Sequence, residues 1–219
     1  MIDISADRLA EAAAEIGGLA IPCDVTDEAA VQDAIARIAL EFGGIDILIS
    51  NAGAAFQGSL IELESEDFRQ AFELNFWSHH YIASAVVKVM EAQGTGGALV
   101  FNISKQSVNP GPEFGPYGTS KAALMALMKQ YAVEHGASGI TSNGVNADRI
   151  KTDLLTDDFV AARSKARDVT PEEYMRGNLL KREVLAEDVA EAFVHLAKAR
   201  TTTGAVITVD GGNVAAMMR

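Results

Sequence analysis

IDILISNAG, Ile45 to Gly53, is a strand-length apolar run that closes on a glycine-containing polar turn. A strand with one face in water alternates apolar and polar residues, whereas a strand covered on both faces is nearly continuously apolar. IDILIS is of the second kind, and so is GALVF from Gly97. Outward from this run, strand-length and helix-length patterns alternate: LAIPCDV, Glu28 to Phe42, IDILISN, Asp67 to Gln93, then GALVFNIS. The second half repeats the alternation, with a helix opening at about Tyr117, then GITSNGVNA, a helical region from about Asp153 to Arg200, and AVITVDGG. This order predicts a parallel α/β sheet with covering helices. Helix punctuation agrees, with Thr26 placed to cap the helix after it and Gly43-Gly44 placed to end it.

A chain of 219 residues, 48% of them hydrophobic, suits one domain spanning 1–219. Its net charge of -12, with no cluster of lysine and arginine, repels a phosphate backbone and argues against a nucleic-acid partner. One cysteine, Cys23, leaves no internal disulfide framework. No apolar run reaches the roughly 18 residues of a membrane span. With no charged-then-apolar leader at Met1, the expected location is the cytoplasm. Composition changes between Asp153 and Glu183, where charges of both signs crowd around Thr170-Pro171. Such a segment between two strands is a substrate flap (153–183) or a solvated helical hairpin, and Arg163, Lys165 and Arg167 read as surface charge.

Ligands of an open parallel sheet bind beyond the carboxyl ends of its strands. Those ends here read CDV, SNAG, NISKQS and NADRIKTD. Taken singly, each is a turn signal. Tyr117 and Lys121 are more suggestive, because four residues is one helical turn and brings a phenol and an ammonium side by side. A free tyrosine, with a pKa of about 10, is a poor base near neutrality, and a neighbouring cation would stabilise its phenolate.

Taken together, CDVTD, ILISNAG, ELNFW, FNIS, YGTSK, GVNADRIKT and VITVDGG resemble the short-chain dehydrogenase/reductase family over essentially the whole chain. Within it, SKQSVNPGPEFGPYG, NGVNADRI and LLTDDFVAARSKARDV look most like the dehydrogenase portion of bifunctional proteins fused to a class II aldolase of the rhamnulose-phosphate type. The resemblance implies a Rossmann-like doubly wound sheet and a nicotinamide-dependent oxidoreductase acting on a small alcohol, polyol or carbonyl compound. It also implies residue roles. Tyr117 is the general acid and base, Lys121 tunes it and holds the nicotinamide ribose, Ser104 bonds the substrate oxygen, and Asn75 holds a proton-relay water. The turn Asn51-Ala52-Gly53 joins the cofactor site, Ile150 and Thr152 lie by the carboxamide and diphosphate, and Asp24 and Val25 flank the adenine. Asp3 falls where a carboxylate would bond the ribose hydroxyls of NAD and repel the extra phosphate of NADP, so NAD is the expected coenzyme. The resemblance further implies a homodimer or homotetramer with VITVDGGNVAAMMR, including Met217 and Met218, at an interface.

Three departures stand out. The family's paired serines are replaced by Ser104-Lys105 and Gln106-Ser107. The family's thirteen-residue interval to Tyr117 selects Ser104, matching from the strand end selects Lys105, and Ser107 is a third choice. The family's Pro-Gly after the fourth strand is Ala147-Asp148, where aspartate would take the left-handed backbone of glycine. The family also opens with a strand, a Gly-rich turn and a helix that binds pyrophosphate, none of which matches this chain. The expectation is a sheet lacking the first β-α unit and most of the second strand, roughly 30 residues by the size of such a unit. LAIPCDV would then lose its link to IDILIS, with weaker NAD binding and stability than an extended version. A non-catalytic remnant without dinucleotide binding is the rival reading, and a hydrolase built on Ser104 is a third. His79 and His80 read as packing or surface residues, not metal ligands, and Phe76 and Trp77 as helix packing.

Overall fold

The structure, a computed structural model, describes residues 1–152 and 155–217. Asp153, at the start of the expected flap, and Met218 of the expected interface lie outside the described residues. Four parallel strands form the main sheet in the order β3 (Ile47–Ser50), β4 (Gly97–Asn102), β5 (Ile140–Ala147) and β6 (Val206–Val209). The register runs from Ile47 opposite Ala98 to Ser50 opposite Phe101, so β3 and β4 end at the same height. Their carboxyl ends therefore present Asn51 and Asn102 next to each other, and Asn102 Nδ2 donates to Asn51 Oδ1 at 2.7 Å.

The covering helices follow from which faces are apolar. One face of β3 and β4 packs Leu48, Leu99 and Phe101 against α2 (Glu28–Phe42), α4 (Ser78–Gln93) and α5 (Gly115–His135), in the largest core cluster. The other face offers Val100 and Val145 to Ala192 and Leu196 of α8 (Ala186–Lys198). Because α8 packs on β4, β5 and β6, β3 is covered on one side only. Ile47 and Ile49 are 49% and 44% exposed, so the expectation of a doubly buried IDILIS strand fails there.

The LAIPCDV run contributes only a short strand, β2 (Ile21–Pro22), which pairs in parallel with β1 (Ile2–Asp3) in a separate two-stranded sheet. Helix α1 (Ala6–Ile16) joins the two. Among the described residues no ladder links this pair to β3, as the sequence led us to expect. Ile21 nevertheless belongs to the main core cluster and Ile2 packs against it, so side-chain burial, not backbone pairing, ties the two sheets together.

Several boundaries shift for local reasons. Helix α2 is capped by Asp27, whose carboxylate accepts from Ala29 and Ala30, and not by Thr26. It ends as expected at Gly43, with φ 78°. The long helix expected over 67–93 is α3 (Ser65–Phe72), a π-helical turn (Glu73–Trp77) and α4. The segment between β5 and β6 holds α6 (Asp157–Lys165), α7 (Pro171–Met175) and α8, and the Thr170–Glu173 capping box starts α7. Helix α9 (Asn213–Met217) follows β6, one of the two edge strands of the main sheet. Among the described residues no helix is long and apolar enough to cross a membrane.

Candidate active site

A cavity of about 540 Å³ opens beyond the carboxyl ends of β3, β4 and β5, within the usual size of a small-molecule site. Tyr117 and Lys121 both line it, because α5 begins at Gly115 and so carries them on successive turns. The Lys121 ammonium is buried and donates to the Asn102 carbonyl at 2.9 Å. Ser104 approaches from β4. It caps a short 3₁₀ turn (Lys105–Ser107), with its hydroxyl accepting from the Gln106 amide at 3.2 Å, and it also hydrogen-bonds Tyr117. A glycine at position 118 allows this approach, since a Cβ there would stand 3.1 Å from the Gln106 carbonyl. Of the three residues weighed for the serine position, Ser104 is the one that meets Tyr117. Lys105 lines the cavity, and the Ser107 hydroxyl is turned onto the Ser104 carbonyl at 2.7 Å.

Asn75 lies in the π-helical turn, completely buried, and grips Ala54 in both directions. Its Oδ1 accepts from the Ala54 amide at 3.1 Å and its Nδ2 donates to the Ala54 carbonyl at 3.0 Å. The extra residue of a π turn re-aims a side chain, a common device at functional sites. Here it fixes the turn after β3. Gly53 in that turn comes so close that a Cβ would fall 2.8 Å from Asn75 Oδ1 and 3.4 Å from Lys121 Nζ. Asn75 thus sits beside Lys121, with both amide groups engaged by backbone.

The electrostatics depart from the expectation of a phenol acidified by its lysine. Burial pushes the Tyr117 pKa up, the Ser104 hydrogen bond pulls it back, and the Asp148 carboxylate pushes it up again. Burial also lowers Lys121 from 10.5 to about 7. A lysine that gives up its proton near neutrality cannot act as a permanent cation beside the phenol. The raised pKa holds Tyr117 as the neutral acid, the form that donates a proton.

Asn51, Gly53, Ile150 and Thr152 line the same cavity. Asp3, Asp24, Val25 and Ala52 do not line it. Asp3 ends β1 and accepts from the Ser5 amide, while Asp24 closes a turn onto the amide and hydroxyl of Thr26, which lower its pKa. Val25 packs against the main core. After β5, the left-handed residue is Arg149, with φ 56°, and not Asp148. Asp148 instead accepts from the Asn213 amide and pairs with Arg149 at 3.5 Å. His79 is core, bonded through Nδ1 to the Ser50 hydroxyl at 2.6 Å, and His80 is bonded to the Tyr131 hydroxyl at 2.9 Å.

The reading of Arg163 as surface charge is overturned, whereas Lys165 and Arg167 are exposed as expected. Arg163 and Arg167 line the cavity, and the Arg163 side chain is only 11% exposed. Phe114, Phe159 and Tyr174, also unforeseen, form the aromatic part of the same wall. A signal was available: Phe159 and Arg163 stand four residues apart, which on a helix is one face, and α6 ends before Arg167.

A family model described as Enoyl-(Acyl carrier protein) reductase matches residues 1–213. The uncharacterized oxidoreductase YuxG of Bacillus subtilis (strain 168) is 34% identical over 209 residues, 92% of this chain, while the chain spans 30% of that relative's length. The L-rhamnose 1-dehydrogenase (NAD(P)(+)) of Sphingomonas sp. (strain SKA58) is 30% identical over 197 residues, 89% of this chain and 75% of the relative. Among solved structures, a 7α-hydroxysteroid dehydrogenase complexed with NADH and 7-oxo glycochenodeoxycholic acid matches with a TM-score of 0.84 at 29% identity, covering 97% of this chain and 82% of the other.

Proposed function

This chain belongs to the short-chain dehydrogenase/reductase family of oxidoreductases, and we propose that it interconverts a small alcohol or polyol and its carbonyl compound, with Tyr117 as the acid and base. The observation that carries this reading is the convergence of Tyr117, Ser104 and Lys121 on one cavity at the strand ends. In the reducing direction the half-buried, neutral Tyr117 delivers its proton to the oxygen of the reacting carbonyl, and Ser104 bonds the same oxygen. In the oxidising direction the phenol must lose its proton first, which its raised pKa opposes. Asn75 acts by holding the turn at Ala54 against the lysine. That geometry supports a positioning role, in place of the water-holding one inferred from sequence.

The residues suit a nicotinamide nucleotide, which when bound supplies or accepts the hydride. Lys121 spends one N–H on Asn102 and in either protonation state keeps at least one more for the hydroxyls of a ribose. Asn51, Ile150 and Thr152 would complete that part of the site, and Asp3, Asp24, Val25 and Ala52 would hold the adenosine end. NAD is our preferred coenzyme because Asp3 is exposed at the end of β1. We take a cytoplasmic homodimer or homotetramer as part of this reading, with the outer edge of β6 and the tail after it at an interface. The kinship with aldolase-fused dehydrogenases also belongs to it, since the Bacillus relative, of which this chain spans 30%, is long enough to hold a second catalytic unit.

A coenzyme-linked screen of polyols and hydroxyaldehydes with both dinucleotides, run on wild type and Tyr117→Phe, tests the proposal. Turnover should fall about a hundredfold or more in the variant. Equal turnover in the two proteins would reduce Tyr117 to a helix residue, and NADH fluorescence unmoved by the protein would favour the non-catalytic rival.

A further inference from the structure

The cavity is cationic in a chain of net charge -12. Besides Lys121, it is lined by Lys105, Arg149, Arg163 and Arg167, against Asp148 as the one lining carboxylate among the described residues. These cations are not equivalent. Arg149 is occupied: it bonds the carbonyls of Tyr174 and Gly177, pairs with Asp148 and stacks on the Tyr174 ring. Arg167 stacks on the same ring and donates to the Arg163 carbonyl.

Lys105 and Arg163 have donors left over. Lys105 is only 9% exposed, yet its ammonium has no hydrogen-bond or ion-pair partner among the described residues. Arg163 pairs one nitrogen with Glu113 at 3.1 Å, while its buried Nε has no partner. A solvated helix face, the expectation for Arg163, does not bury it. Burial pushes the Lys105 pKa down, Asp148 pulls it up, and Arg149, Arg167 and Arg163 push it down again, so the site is short of negative charge. Position matters as well. Lys105 follows Ser104 directly, and Arg163 lies over the Phe114 ring, 5.1 Å from its centroid, with that ring 6.3 Å from the ring of Tyr117.

We propose that this cavity takes an anionic substrate, a short hydroxy or oxo compound whose carboxylate or phosphate is held by Lys105 and Arg163 while its reacting carbon faces Ser104 and Tyr117. Which end of the substrate reacts rests on the oxidoreductase reading, but the anion subsite does not. Charge-assisted bonds from an ammonium and a guanidinium suit both anions, and the bidentate fork of arginine favours planar or tetrahedral oxyanions alike.

The test has a binding arm and a turnover arm. In the first, the intact chain is titrated calorimetrically with L-lactate and with inorganic phosphate, as wild type, Lys105→Met and Arg163→Met, with melting curves to verify folding. We expect binding to wild type that sodium chloride competes away, and a loss of affinity of about tenfold or more in each variant, the value of one charge-assisted contact. The tighter of the two ligands identifies the anion. No binding to wild type, or binding unchanged in both variants, overturns the proposal. The salt competition on wild type stands even if a variant fails to fold. In the second arm, propane-1,2-diol is compared with lactate, and glycerol with glycerol phosphate, using either dinucleotide. A higher kcat/KM for the anionic member, with the ratio falling in Lys105→Met, supports the subsite, and preference for the neutral member overturns it. Anion binding without any turnover would sink the oxidoreductase reading and leave the subsite standing; neutral turnover without anion binding would do the reverse.

Discussion

Lys121→Met should make the ligand-free chain more stable while removing its activity. The ammonium is fully buried, and burial moves its pKa from 10.5 to about 7. Between those values the unfolded chain binds the proton and the folded chain does not, so stability rises with pH. The penalty is fully present below about pH 7 and fades towards pH 10.5. At 1.36 kcal/mol per pKa unit its full size is about 5 kcal/mol, of which about 2.5 kcal/mol is released between roughly pH 7.5 and 9.5. Methionine removes the whole penalty but forfeits the bond to the Asn102 carbonyl, which costs about 1 kcal/mol. The variant should therefore melt higher than wild type by roughly 3 kcal/mol near pH 7.5 and by almost nothing near 9.5, a narrowing of about 5–10 °C for a chain this long. Melts followed by circular dichroism without dinucleotide give the answer, because a bound ligand would add its own stabilisation. Contributions from groups not coupled to Lys121, Cys23 among them, cancel in the difference between the two proteins, and His79, whose pKa burial and Lys121 hold well below its ordinary value, stays neutral over this pH range. A gap that stays constant with pH would refute the buried-ammonium argument, whatever its sign.

Two further outcomes follow from the geometry. Gly53→Ala puts a Cβ 2.8 Å from Asn75 Oδ1, so the Asn75–Ala54 clasp must open; we expect a loss of about 1–3 kcal/mol in stability, read from the melting curve, together with weaker NADH fluorescence titration. Asp3→Ala should reduce the ratio of kcat/KM for NADH over NADPH by about tenfold, the value of one carboxylate–hydroxyl contact, and an unchanged ratio would remove Asp3 from the coenzyme site.

The strands of the main sheet were legible because their apolar runs are long and bounded by polar turns, and β4 and β5 are buried along most of their length. Two features needed the folded chain. Ile47 and Ile49 look like a doubly buried strand, but whether a second face is covered depends on where α8 lands, more than a hundred residues later in the sequence. The break in the helix around Asn75 has no proline or glycine to announce it. It is set by the tertiary demand of placing the Asn75 amide against Ala54. The left-handed residue after β5 shows a similar limit. Asp148 had the better propensity, but its carboxylate is held by Asn213 and Arg149, and the strain passes to the next position.

At the site, spacing along one helix was readable and spacing between elements was not. Tyr117 and Lys121 are neighbours by helix geometry alone, so their pairing was visible from four residues of sequence. Their protonation was not, because it depends on burial: the same pair in water would be a neutral phenol and a full cation, whereas here the cation is lost near neutrality and the phenol is held as an acid. Arg163 follows the same rule. Its four-residue step from Phe159 places the two on one face of α6, but an aromatic residue beside a cation packs equally well against solvent or over a cavity. What decides between the two is Phe114, on which Arg163 stacks, and Glu113 beside it, which pairs with the same guanidinium from a left-handed backbone position. Those two residues lie fifty positions earlier in the chain, just ahead of the turn that presents Tyr117. The segment just ahead of α5 therefore also draws Arg163 inward, and that is how a guanidinium and the Tyr117 phenol come to share one wall of the cavity.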